Sequence, residues 1–170
     1  MAYDYDKLYG SQPHALGEPT QVFVDFFAHN TTETLRVLDV GCGQGRDALF
    51  IARQGHHVVG VDISPNGIRD LNDAAHNEGL AIEGIVADIA TYDPVGDFDV
   101  VLIDRTLHML PETARLDALT RLIAVVRKCG WVLIADEASN ISSFKGVFTA
   151  SGQVWRTERE KGGYLFLQRS

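Results

Sequence analysis

The stretch Val37-Leu38-Asp39-Val40-Gly41-Cys42-Gly43-Gln44-Gly45-Arg46 decides the fold. A mostly apolar run enters a glycine-rich turn, and a helical pattern leaves it, with Ala48, Leu49, Ile51 and Ala52 apolar between Asp47 and Gln54. Strand, tight turn and helix in that order are the first half of a parallel strand–helix–strand unit. Glycine permits φ > 0 and lets a ligand approach the main chain closely. The helix start adds unpaired N–H groups and positive potential. Taken alone, such a loop serves equally as a nucleotide site or a structural turn.

The same alternation continues downstream. Residues 57–62 read as a second buried strand. Ser64-Pro65 starts a helix, with Ser64 as N-cap and Pro65 at the first helical position. Gly79 stops that helix, as Gly55 stops the one before. A third strand is expected over 82–89 and a fourth over 98–103. Pro111-Glu112 opens a helix to about Lys128, which Gly130 caps before a fifth strand at 131–135. Few residues then precede a hairpin of 154–159 and 164–167 around Gly162-Gly163. Continuous apolar strands alternating with helices indicate a parallel sheet covered on both faces. The hairpin adds an antiparallel strand near one end.

Two acids support a nucleotide-like ligand. Asp62 ends the second strand 21 residues after Gly41, the spacing of the acid that grips a ribose diol. Asp88 ends the third strand. The strand ends share one sheet edge, so these groups converge there.

Composition narrows the partners. The chain has 170 residues, 45% hydrophobic and 22% charged, which fits one globular domain. A net charge of -8 disfavours a nucleic-acid substrate, and no basic run offsets it. Cys42 and Cys129 have no metal-ligand spacing, so no metal site is expected, and a reducing cytoplasm fits. The polar, acidic residues 1–6 are unlike a signal peptide, and no apolar run is long enough to span a membrane. The histidines form no metal spacing; His56-His57 reads as a solvated strand start. Oligomeric state leaves no trace in the sequence.

Residues 38–45 resemble the first motif of the class I methyltransferases that use S-adenosylmethionine (SAM). Asp62 resembles the acid of their second motif, Asp88 the residue beside the adenine, and 98–104 their fourth motif. The likeness spans about 35–170, and 1–34 would be an N-terminal lid and helix on one structural domain. It implies an α/β, Rossmann-like three-layer sandwich: a seven-stranded, mostly parallel sheet of order 3-2-1-4-5-7-6, with strand seven antiparallel. It further implies that Gly41, Cys42 and Gly43 contact the methionine part and ribose through their backbones. Asp62 would hold both ribose hydroxyls and Ile63 would pack on the adenine. Ala87, Asp88 and Ile89 would edge that ring, and Asp104 would sit near the methionine ammonium. Asp39 reads as a direct ligand or as an acid bracing the loop. Arg46 borders the same site, attracting an anion or making a surface ion pair.

The flanks, 45–52 and 61–68, resemble the tellurite-resistance branch, close to the thiopurine methyltransferases. So do Tyr5-Asp6-Lys7-Leu8-Tyr9-Gly10 and Gly17-Glu18-Pro19, as a short lid. The resemblance implies a small-molecule acceptor of soft character: a thiol, or a selenium or tellurium oxyanion. Arg105 and His108 leave the fourth strand's end as candidates to attract, orient or deprotonate the acceptor; Tyr9 would close over the reacting centre or pack the lid. Three alternatives stand beside this. An NAD-binding protein would share the turn and the acid, but its Gly-x-Gly-x-x-Gly pattern meets Arg46 at the third glycine. A SAM-binding sensor or partner subunit would share every cofactor motif. A protein or RNA methyltransferase is opposed by the acidic charge and the short link after the fifth strand.

Overall fold

The computed structural model describes residues 4–30 and 33–170. Residues 1–3, 31 and 32, part of the expected lid segment, lie outside the described residues. Contacts divide the chain into two compact units, Met1–Asp88 and Ile89–Ser170.

The first unit contains helices α1 (Tyr5–Ser11) and α2 (Gln21–Asn30), then β1 (Arg36–Val40), α3 (Arg46–Arg53), β2 (His57–Asp62), α4 (Pro65–Glu78) and β3 (Ile82–Val86). Its strands are parallel, with Val40 beside Val61 and Asp62 beside Val86. Val37, Leu38, Val40, Val58, Val59 and Val61 are all buried, as strands covered on both faces require. α4 follows its punctuation. The Ser64 hydroxyl accepts from Gly67 N–H at 2.9 Å, Pro65 opens the helix, and Gly79 ends it at φ 65°. Ile68, Leu71 and Ala75 form its buried stripe.

The second unit contains β4 (Phe98–Asp104), α5 (Glu112–Ala124), β5 (Val126–Ala135), α6 (Ile141–Ala150), β6 (Trp155–Lys161) and β7 (Tyr164–Arg169). β4 and β5 are parallel, and β7 runs antiparallel to both β5 and β6. The strand order, β3-β2-β1-β4-β5-β7-β6, is the Rossmann-like order expected.

Four expectations need correction. α5 ends at Ala124 rather than near Lys128, and Gly130 lies inside β5. Val126 already pairs with Phe98, and the register then shifts before Val100 pairs with Trp131. Cys129 takes a positive φ of 64° in that irregularity. Gly130 is needed for space, since a Cβ there would lie 2.8 Å from Val126 and 2.9 Å from Asp99 O. β3 stops at Val86 rather than Ile89, because β2, its pairing partner, ends at Asp62. The short link after β5 holds helix α6, where no helix was expected. Its Ile141, Phe144 and Phe148 are buried at helical spacing, which serine and Gly146 had masked. Finally, His56 is buried rather than solvated: its Nδ1 accepts from Leu35 N–H at 3.2 Å, and its ring lies 5.6 Å from that of Phe27.

Candidate functional site

In the first unit the glycine turn is built from its main chain. Gly41, Gly43 and Gly45 adopt φ of 75°, 53° and 86°, which side chains rarely tolerate. The N–H groups of Gly41 and Cys42 both donate to Val61 O, at 2.7 and 3.1 Å, so the turn leaves β1 while still tied to β2. Gly45 is the N-cap of α3.

Asp62 sits where these elements meet. Its Oδ2 accepts from Gly43 N–H at 2.9 Å and its Oδ1 from Ser64 N–H at 2.8 Å. Burial pushes its pKa above the ordinary aspartate value, against the pull of those N–H groups. Ala87 N–H donates to Asp62 O at 2.9 Å, so the start of the loop after β3 adjoins the same strand end. Ile63 is 67% exposed and Val86 51%, although both are large and apolar. Asp88 is also exposed. A carboxylate beside an exposed aliphatic surface suits a sugar diol joined to a flat ring. A carboxylate offers about four acceptor positions, so Asp62 keeps acceptor capacity beyond its backbone bonds.

The other first-unit candidates have structural partners. Asp39 is buried at 2% exposure at the end of β1. Burial first, then the charges of Asp39 and Asp62, push the Cys42 thiol well up, so Cys42 is a packing residue rather than a nucleophile. Gly60 accommodates it, since a Cβ there would lie 2.9 Å from its Sγ. The Arg46 guanidinium is bound to Asp47, with Nη2 2.9 Å from Oδ2.

Three residues that sequence reasoning left without a role hold the N-terminal segment on the glycine turn. Asp6 accepts from the Ser64 hydroxyl at 2.5 Å and from Asn66 N–H at 3.0 Å. The Gln44 side chain accepts from Ala15 N–H at 2.9 Å and donates to Tyr9 O, Gln12 O and Asp70. Asn66 also donates to both the carboxylate and the carbonyl of Asp6. A polar residue between glycines and an acid in the lid motif were the only traces of this in the sequence. Tyr9 is buried, and a Cβ on Gly43 would lie 2.6 Å from its hydroxyl. Burial, then the Asp62 charge, raise the Tyr9 pKa, so it remains a protonated phenol and a donor rather than a base.

In the second unit, Asp104 ends β4 with a side chain only 4% exposed. Arg105 follows at φ 53°, a strained backbone for arginine, with Nε 3.8 Å from Asp104 Oδ1. Arg105 N–H donates to Ala135 O at 2.7 Å. His108 lies in the short turn Leu107–Met109, and its N–H donates to Asp136 Oδ2 at 3.1 Å. Ile89 begins this unit and is half-buried.

Residues 37–130 match the family described as "Methyltransferase domain". The chain belongs to that methyltransferase family. Relatives agree. The ubiquinone biosynthesis O-methyltransferase of Paraburkholderia xenovorans (strain LB400) is 31% identical over 133 residues, covering 77% of this chain and 56% of that protein. The chain thus spans about half the length of the curated relatives it matches. Among solved structures, magnesium protoporphyrin IX methyltransferase (ChlM) from Synechocystis PCC 6803 with bound SAM gives a TM-score of 0.73 at 18% identity, covering 98% of this chain and 80% of that one. TehB from Haemophilus influenzae gives 0.72 at 18% identity, covering 97% and 64%. Both share the fold of this methyltransferase domain. None of its described helices is long and apolar enough to cross a membrane.

Proposed function

We propose that this domain binds SAM and transfers its methyl group to a small-molecule acceptor. The observation that carries the reading is Asp62, fixed by Gly43 and Ser64 N–H groups beside the exposed Ile63. In this reading Asp62 takes the ribose hydroxyls and Ile63 the adenine, with Ala87, Asp88 and Ile89 along the ring's edge. The main chain of Gly41, Cys42 and Gly43 borders the ribose and methionine part. Asp104 attracts the ammonium. Asp39 and Arg46 brace the loop, and Tyr9 covers Gly43.

When bound, SAM supplies a methyl carbon on a sulfonium, already an electrophile. The chain's own task is then to hold the acceptor in line and exclude water. Proximity of this kind contributes up to roughly 7–11 kcal/mol. Family membership and the O-methyltransferase among the relatives support transfer over a sensor role. The acidic charge favours a small acceptor over nucleic acid. The flanking motifs favour the tellurite-resistance branch, and the fold of TehB agrees with that without deciding it. A cytoplasmic location suits both the cofactor and the thiols.

Calorimetric titration with SAM, and with NAD as control, tests the reading. Saturable SAM binding without NAD binding is expected. Binding of NAD alone, or of neither, would overturn it.

A further inference from the structure

We infer that Asp136 is a positioning carboxylate that fixes the tautomer of His108, leaving Nε2 to take the proton of a phenolic or enolic hydroxyl acceptor. The acceptor class rests on the methyltransferase reading; the pairing of the two side chains does not.

The geometry lies within the second unit. Asp104 and Ala135 are register partners at the ends of two parallel strands, so His108 and Asp136 both follow the carboxyl edge where open α/β sheets bind ligands. His108 Nδ1 lies 3.7 Å from Asp136 Oδ2, and this nitrogen is buried without a hydrogen-bond partner. The His108 side chain is nevertheless 31% exposed, so its exposure falls on the rest of the ring, which carries Nε2. Asp136, by contrast, has a fully buried side chain.

That carboxylate is held by donors alone. Oδ2 accepts from His108 N–H, and Oδ1 accepts from Glu137 N–H and Asn140 Nδ2, both at 2.8 Å. Arg115 orients Asn140 through a 2.6 Å bond to its Oδ1, and also donates to Leu110 O and His108 O. Asp136 and Arg115 are thus charged groups that bond to the histidine turn, which Asp104 and Arg105 precede in the chain. Asp136 N–H donates to Gly163 O at 2.9 Å, and a Cβ on Gly163 would collide with Asp136 O. The hairpin turn therefore fixes the backbone that carries the carboxylate. Facing an acceptor, the ring places its proton on Nδ1 and leaves Nε2 bare.

A bare Nε2 is of use to an acceptor that arrives protonated. Its O–H proton moves to Nε2 while an oxygen electron pair forms the bond to the methyl carbon. The electrons of the broken carbon–sulfur bond stay on sulfur. The resulting imidazolium faces Asp136. Soft anions need little such help, so this arrangement favours a hydroxyl over the thiol or tellurium acceptor suggested by the flanking motifs.

Nitrogen-15 NMR of the histidine rings at neutral pH tests the pairing in the full chain, in wild type and Asp136→Asn. The wild-type His108 ring is expected to carry its proton on Nδ1. In the variant, the amide oxygen must take the place that accepts from Glu137 and Asn140. Its NH2 then faces Nδ1 and moves the ring proton to Nε2. With SAM and catechol as the probe acceptor, methylation should fall roughly 100-fold or more, with SAM affinity unchanged. A wild-type ring protonated on Nε2, an unaltered tautomer in Asp136→Asn, or unaltered methylation would each overturn the positioning role. Should the variant not fold, the wild-type tautomer decides alone. No methylation of catechol, whether or not thiophenol reacts, would overturn the hydroxyl class. Failure of wild type to bind SAM would instead overturn the methyltransferase reading and leave the tautomer result standing.

Discussion

The two units build their candidate sites from different materials. The first uses the backbone of one continuous turn, 41–45, and one carboxylate set by two N–H groups. The second uses side chains from separate segments, with Arg115, Asp136 and Asn140 joined through polar bonds and His108 tied to them by its main chain. A backbone site suits a ligand with constant features, such as a cofactor, because its geometry depends on glycine φ values rather than rotamers. A side-chain network can be retuned by single substitutions, which suits proton handling and acceptor choice.

His108→Ala puts the sharpest strain on this division. Turnover should fall by about 10²–10⁴, the usual worth of a general base, while calorimetry finds SAM affinity unchanged. Equal losses in both would erase the contrast and make His108 part of cofactor binding.

Asp62→Ala tests the other side. Each charged hydrogen bond lost costs about 1.5–3 kcal/mol, so SAM should bind at least roughly tenfold more weakly, with turnover at saturating SAM largely kept. Acid should act in the same direction. Asp62 titrates above the ordinary aspartate value of about 3.9 because it is buried. SAM affinity should therefore decline on acidification before an exposed aspartate would protonate. Stability of the protein without SAM has the opposite sign. With the folded pKa raised, the Asp62 contribution is present below the unfolded pKa and lost as pH rises through the folded one. A SAM affinity flat down to pH 4 would remove Asp62 from the site.

The smallest effect is expected at Asp6. Hydrogen bonds from Ser64 and Asn66 lower its pKa. Its contribution to docking α1 is thus present above the unfolded pKa and lost as pH falls through the folded one. Asp6→Ala should speed amide hydrogen exchange across α1 at neutral pH and change SAM affinity less than Asp62→Ala does. Unchanged exchange would show that Gln44 and Tyr9 hold the segment without it.

Sequence alone determined the parallel strands, the glycine turn, the Ser64 cap, the Gly79 stop and the hairpin at Gly162-Gly163. Each is a local matter of φ preference, capping or apolar run, so a few neighbouring residues suffice to specify it. It also placed Gly43 and Asp62 at one strand edge, because β1 and β2 are consecutive parallel strands. What it misread was set by distant partners. Gly130 resembled a helix cap until Asp99 O and Val126 showed a bulge without room for a side chain. His56 looked solvated until α2 supplied Phe27. Asp136 carries no mark as a partner of His108, 28 residues away. A hydrogen bond between strand ends is decided by sheet register and by the turn that fixes Gly163, and only the folded chain brings those together.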